Sequence, residues 1–263
     1  MANPAYEDPA ALQPAPGPAL ADAGGAGAAR FRSRPARACD APLAPRWPPL
    51  PAAEDEARDI ASLWTRAGGE VALMVGAAAT ERSVKERAAG FDVVHIATHG
   101  FTRDTGCDAG RGRRGGAAAG VLEAGLPMAG ANQRRWAGPG DDDGLLTAEE
   151  IAGLDLGRAR WVVLSACDTG AGTLNEREGI LGLRRAFTVA GARTLVMSLW
   201  AVDDAYARRW MNALYTARLD RGADTAESVR AATRALLLTL RREHPAEAQP
   251  AFWGAFLAVG DWR

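Results

Sequence analysis

Two short clusters in this sequence have the residue types for covalent chemistry. ThrHisGly at 98–100 closes the apolar run FDVVHIATH (91–99), and CysAspThrGly at 167–170 closes RWVVLSAC (160–167). A thiol attacks a carbonyl carbon only as the thiolate, and an imidazole is the commonest base that generates it at neutral pH. Glycine next to such a group lets a substrate backbone come close and leaves an N–H free to face a developing oxyanion. His99 and Cys167 therefore read as a nucleophilic pair, provided that the two runs are neighbouring strands pointing the same way. The competing reading is that Cys167 is inert packing, the usual condition of a buried cysteine.

Other polar groupings carry less. His95 and His99 spell HxxxH. On a strand they stand about 13 Å apart, at roughly 3.3 Å per residue, too far for one zinc ion. His95 is read instead as a core or supporting residue. Gly110, Gly112 and Gly115 spell GxGxxG, but no strand precedes them and no apolar helix follows, so they read as loop and not as a dinucleotide site. Cys39 and Cys107 lie in low-complexity sequence, and His244 precedes Pro245 at a helix end. The AspAspAsp at 141–143 reads as a solvated turn rather than a cation site. No metal and no cofactor are expected.

Two strand ends can meet only if a sheet aligns them. EDEARDIASLWTRAG (54–68) places Ile60, Leu63 and Trp64 on one helical face, and EVALMVG (70–76) reads as a strand. Thr80 caps a short polar helix ended by Gly90, and Thr147 opens TAEEIAGL (147–154) as a capping box. A helix over 178–190 presents Leu181, Leu183, Ala186, Phe187 and Val189, and Gly191 closes it. RTLVMSLWAV (193–202) is a third buried strand, Asp203 caps a helix to about Leu219, and an amphipathic helix from Thr225 to Arg242 precedes AFWGAFLAVG. Apolar strands alternating with helices predict a largely parallel sheet covered on both faces, with its chemistry at the carboxyl ends of the strands.

The 263 residues can bury a sizeable core, and 31 Lys plus Arg against 32 Asp plus Glu leave a net charge of −1. No global field favours nucleic acid or an anionic membrane, and neither is expected as a partner. Three scattered cysteines without CxxC spacing exclude a disulfide framework and fit a reducing, cytoplasmic setting. No run approaches the roughly 18 apolar residues of a membrane helix. Eleven of the 15 prolines lie in the first 51 residues, so residues 1–46 read as a disordered Ala/Pro-rich leader ahead of a domain over 47–263. Residues 102–144, with Gly100, hold 12 of the 30 glycines and read as a flexible Gly/Arg-rich insertion interrupted by one strand, Gly120 to Met128.

HIATHGF, GLLTAEEIAGLDL, VVLSACDTGAG, EGILGLRRAFTVAGARTLVMSLWAVDD and WGAFLAVGD occur in this order from residue 95 to 261. In that order they resemble the blocks of the CHAT domain, a caspase-like peptidase domain related to separase and often fused to TPR repeats. The resemblance runs from about Trp47 to Asp261. It implies a three-layer caspase–hemoglobinase-like α/β fold with a mainly parallel central sheet. It also implies a cysteine endopeptidase acting on protein substrates, with His99 and Cys167 as the dyad and the N–H groups of Gly100 and Cys167 as oxyanion donors. Similarity to separase around SLWAVDD implies Asp204 as the residue receiving a basic side chain before the cleaved bond. Helix capping by Asp203 or Asp204 is the alternative.

Two departures from the family pattern are legible. The leader holds none of the upstream strand and helix segments that such domains carry, so the sheet is expected to lack N-terminal edge elements. The insertion after His99 is long, borders the expected cleft, and offers Arg111, Arg113 and Arg114 to a processing protease. A catalytically silent scaffold that binds a partner through its sheet edge, or a fragment completed by another chain, stands as the alternative to the enzyme. No TPR-like period occurs in the sequence, so TPR repeats or another regulatory partner would belong to a separate protein.

Overall fold

In the computed structural model, which describes residues 1–12, 46–104, 122–138, 140–168 and 174–262, the apolar runs form the middle of one sheet. With strands numbered in chain order, β1 (Ala2–Pro4), β2 (Val75–Gly76), β3 (Val93–Asp104), β6 (Trp161–Asp168), β7 (Thr194–Ser198) and β8 (Phe256–Gly260) lie in the order β2-β1-β3-β6-β7-β8. All neighbours in that order are parallel except β7 and β8. β4 (Leu122–Pro127) and β5 (Leu145–Thr147) continue antiparallel from the far end of β3.

Burial explains the layers. In β6 the consecutive residues Val162, Val163 and Leu164 are all buried, which requires cover on both faces. Trp161 and Val163 pack with α1 (Pro51–Arg66), α5 (Asp204–Asp220) and α6 (Thr225–Glu243), through Ile60, Trp210, Leu214 and Leu236 among others. Val162 and Leu164 pack on the opposite face with α2 (Glu81–Arg87), α3 (Ala148–Ala152) and α4 (Leu174–Val189), through Val84, Ile151, Leu183 and Phe187. A four-residue α7 (Pro250–Trp253) leads into β8. The result is the expected three-layer α/β fold with a mostly parallel sheet. The sequence-level caps recur as hydrogen bonds: Thr80 accepts from Ser83 N–H, Thr147 and Glu150 complete a capping box, and Asp203 accepts from Ala205 and Tyr206 N–H.

Several expectations are corrected. The first twelve residues of the supposed disordered leader belong to the fold: β1 lies between β2 and β3, and Tyr6 packs with Trp47, Phe101, Ala131 and Leu145. The reason is local. The small Ala2 side chain is fully buried against Ala53, Ala57 and Ala97, while composition averaged over 46 residues hides a three-residue strand. The edge expected to be missing is therefore partly present. The flexible insertion is likewise ordered at its two ends, because β3 continues to Asp104 and pairs there with β4. EVALMVG supplies only Val75–Gly76 as strand. The AspAspAsp turn is not simply solvated: Asp142 is buried and accepts from Arg82 and from Lys85, the single lysine, which also reaches Glu81 and Glu150. Arg111, Arg113, Arg114 and Cys107 lie outside the described residues, as does Cys39.

α4 starts earlier than the apolar spacing predicts, and it buries Leu183, Ala186 and Phe187 while Leu181 and Val189 stay exposed. Two of its glycines make opposite demands. A Cβ on Gly179 would collide with the Thr102 methyl of β3, whereas one on Gly182 would meet Ala124 Cβ at an ordinary 3.7 Å. Alanine in place of a helical glycine normally gains up to about 1 kcal/mol, but overpacking against a stiff β-branched side chain costs about 1–3 kcal/mol. Gly182→Ala is expected to raise the melting temperature and Gly179→Ala to lower it, checked by thermal denaturation of both variants.

Candidate active site

Parallel pairing between β3 and β6 runs without a break from Val93↔Trp161 to His99↔Cys167 and Gly100↔Asp168. Just past that point β3 leaves β6 and pairs with β4 from Phe101 onward. His99 thus stands at the carboxyl end of the parallel stretch rather than at the end of its strand. His99 and Cys167 hold the same register position on adjacent strands, and Gly100 follows His99 directly.

His99 is 3% exposed, and its surroundings fix its tautomer. Nε2 lies 2.9 Å from the Pro48 carbonyl oxygen. A carbonyl only accepts, so Nε2 carries the proton, and a neutral ring then has its lone pair on Nδ1. Burial pushes the imidazole below its ordinary pKa, against the Pro48 hydrogen bond, which pulls it upward. The ring is therefore a neutral base at neutral pH. Tyr6 packs against it with ring centroids 5.6 Å apart. The Thr98 hydroxyl donates to the Pro127 carbonyl at 2.6 Å, so the Tyr6 hydroxyl, 2.9 Å from Thr98 Oγ1, is the donor in their bond. Burial holds the Tyr6 phenol well above its ordinary range, which keeps it protonated for that role. Pro48 and Tyr6 were not singled out by sequence. Tyr6 lies in Ala/Pro-rich sequence without periodicity, and Pro48 contributes only a backbone carbonyl.

Asp204 lies close by, its charge felt by Tyr6. Its Oδ2 accepts the Ala52 N–H at 2.9 Å, so it caps α1, while Asp203 caps α5. Burial raises the Asp204 carboxyl above its ordinary value, with the neighbouring Glu56 and Asp203 charges acting in the same direction against the α1 amides. α1 is held a second time from below. Glu56, fully buried, accepts from His95 Nε2 at 2.9 Å and from Ser165 Oγ at 3.1 Å, and His95 Nδ1 meets Tyr215 Oη at 3.1 Å. Both His95 nitrogens are thereby engaged, which makes this half-buried histidine a supporting residue, one of the two readings its sequence allowed. His244 ends α6, also as read.

Among the described residues no three His, Cys, Asp or Glu side chains converge as metal ligands, and no helix is long and apolar enough to cross a membrane. Beside Gly100 there is a small cavity of about 20 Å³, lined by Leu164, Gly179, Met197, Ser198 and Trp200 among others. A larger cavity, of about 420 Å³, lies at the opposite, amino end of β3 and does not include His99.

Three comparisons bear on this arrangement. The sequence is similar to tetratricopeptide repeat protein 28 of Mus musculus, 26% identical over 225 residues that are 81% of this chain and 9% of that protein. It is similar to the Homo sapiens protein of the same name, 25% identical over 225 residues, 81% of this chain and 8% of that protein. The chain thus spans less than a tenth of the length of these relatives. Its structure is similar to a crystal structure of protein GSU0716 from Geobacter sulfurreducens, with a TM-score of 0.41 and 15% identity over 80% of this chain and 84% of that one. The profile of the CHAT domain matches residues 6–261, from Tyr6 beside His99 to the end of β8. This chain belongs to the CHAT domain family.

Proposed function

We propose that this chain is a cysteine endopeptidase whose dyad is His99 and Cys167. The observation that carries the reading is a neutral imidazole with Nε2–H committed to the Pro48 carbonyl, standing in register with a cysteine on the next parallel strand. Residues in register on neighbouring strands are about 4.8 Å apart and share a face of the pleat, which suits proton transfer between them. In the proposed reaction His99 Nδ1 takes the Cys167 thiol proton and Sγ adds to the scissile carbonyl carbon. The N–H groups of Gly100 and Cys167 receive the oxyanion. His99 then protonates the leaving amine as the C–N bond breaks, and water hydrolyses the thioester with His99 as base. Membership of the CHAT family, whose domain is caspase-like, supports this chemistry.

The proposal extends to a cytoplasmic protein that cuts protein substrates in a TPR-related context, which the names of its relatives support. The test is the purified protein with an acyloxymethyl ketone probe and a peptide library. Labelling and cleavage are expected in the wild type, and labelling that survives Cys167→Ala would remove the assignment.

For Asp204, capping α1 and receiving a basic substrate side chain are compatible, since a carboxylate that accepts the Ala52 and Ala53 amides keeps lone pairs for a substrate cation. Asp204→Asn keeps an acceptor for Ala52 while deleting the charge. We expect a melting temperature within a few degrees of wild type and a preference for Arg or Lys before the cleaved bond that drops by about tenfold or more, the scale of one lost charge-assisted hydrogen bond. An unchanged preference leaves Asp204 as a cap alone.

A further inference from the structure

The Tyr6 ring and the Pro48 carbonyl reach His99 from separate segments, and one residue holds both of those segments. Asn132 lies in the 3-10 helix Ala131–Trp136. Its backbone N–H donates to the Tyr6 carbonyl at 2.9 Å. Its side-chain Oδ1 accepts the Trp47 N–H at 2.9 Å, and its Nδ2 donates to the Trp47 carbonyl at 3.0 Å. Exchanging both bonds with a single residue is what a hydrogen-bonded partner on an antiparallel strand does. An amide offers a donor and an acceptor side by side for this, whereas a carboxylate only accepts. Nδ2 also donates to Glu7 Oε1 at 2.8 Å. That bond fixes which way round the amide sits, since the reversed amide would set its oxygen against the Glu7 carboxylate.

The grip at Trp47 is transmitted to Pro48 because residues 47–49 are Trp-Pro-Pro. The peptide bond from Trp47 to Pro48 is planar, and the pyrrolidine ring holds φ of Pro48 at about −65°. Pro49 in turn confines ψ of Pro48 to extended values. No freely turning torsion is left between the Trp47 carbonyl that Asn132 holds and the Pro48 carbonyl that meets His99 Nε2 at 2.9 Å. Neither proline has an N–H with which to hold the segment. Its far end is tied separately, by the Leu50 N–H donating to Asn3 Oδ1 at 2.8 Å. The Trp47 indole packs with Tyr6 and Phe101, which restrains the ring but not the direction of the peptide groups.

We infer that Asn132 is a positioning residue for His99. Through the stiff Trp-Pro-Pro strap it aims the Pro48 carbonyl at Nε2, and so keeps the ring proton on Nε2 and the lone pair on Nδ1. The inference deepens the peptidase reading and rests on it for the kinetic consequence alone, because the state of the ring does not depend on whether Cys167 reacts.

NMR of the 263-residue protein labelled with nitrogen-15 at histidine tests this, together with peptide kinetics on the same samples. The wild type is expected to show an Nε2–H resonance that is missing from His99→Ala and exchanges slowly with water, since that ring is buried and bonded. Asn132→Ala leaves both Trp47 groups without the amide. Asn132→Asp keeps the size of the side chain and the acceptor for the Trp47 N–H, but sets an oxygen against the Trp47 carbonyl. Each variant is expected to lose the His99 ring proton to exchange and to keep that of His95, which is held by Glu56 instead. Far-ultraviolet circular dichroism is expected to stay native. In both variants kcat should fall about 10–100-fold with KM within about threefold of wild type, the scale of a misplaced reacting group. Gln133→Ala removes only an exposed bond to Glu7 and is expected to match wild type in both readouts. A His99 ring proton that stays protected in Asn132→Asp, or that is unprotected in the wild type, overturns the inference. So does its loss with kcat unchanged, or its loss together with the His95 proton, which marks a general loosening. Failure of the peptidase reading looks different: wild type and variants alike then cut no peptide, while the ring-proton contrast persists and supports Asn132 as the residue that sets the ring.

Discussion

His99→Ala is expected to lower kcat/KM for a cleaved peptide by about 10³-fold, within the range that a positioned proton-transfer group supplies. The loss should fall mainly on kcat, since the imidazole acts on the thiol and the leaving amine rather than on the bound side chains. The pH profile adds a second readout. Burial holds the His99 pKa below that of a free imidazole, so the acid limb of kcat/KM should lie below about 6.5, the ordinary value. The same shift links to stability. A histidine whose folded pKa is depressed favours the fold fully above about 6.5, and that contribution is lost as pH falls through the folded value. Activity and fold therefore both weaken toward acid, and they separate experimentally: circular dichroism should stay native over the upper part of the limb, where kcat/KM already declines. Wild-type activity in His99→Ala, or an acid limb that coincides with unfolding, would show that His99 is only packing.

The candidate dyad residues were legible as candidates because they punctuate strands. FDVVHIATH and RWVVLSAC are long enough and apolar enough to be central strands whatever surrounds them, and their carboxyl ends carry the polar residues. What holds His99 was not legible, for two physical reasons. The Pro48 contact uses a backbone carbonyl, a group that every residue has and no composition reveals. The Tyr6 contact depends on a strand of three residues, too short for any period to register, within a stretch whose prolines argue for disorder. The CHAT match beginning at residue 6 recovers that stretch, because ordered similarity integrates weak positions that local propensity cannot. Leu181 and Val189 were misplaced by a related cause. Helix spacing gives an apolar face, but the sheet covers only the arc centred on Leu183, Ala186 and Phe187.

Glu56→Ala is expected to cost about 3–5 kcal/mol, because it leaves two buried donors without a partner at roughly 1–3 kcal/mol each. Glu56 is fully buried, and its two oxygens take the His95 and Ser165 donors. His95 Nε2–H is directed at the Glu56 carboxylate, its Nδ1 meets the Tyr215 hydroxyl, and burial keeps that phenol protonated. Every donor in the chain from Tyr215 to Glu56 is then used once, and deleting the carboxylate strands two of them in the core. At roughly 2–4 °C per kcal/mol for a domain of this size, the melting temperature should fall by about 6–20 °C. Glu56→Ala combined with His95→Leu should cost less than the sum of the single changes, because the second substitution removes a donor the first left unpaired. Strict additivity in that cycle, or a loss under about 1 kcal/mol, would mean that the network is incidental. The consequence reaches the candidate site because Glu56 ties α1 to β3 and β6, and the segment entering α1 carries the Pro48 carbonyl that sets the His99 tautomer. At temperatures where Glu56→Ala remains folded, its kcat should drop further than its KM rises, which packing loss alone would not produce.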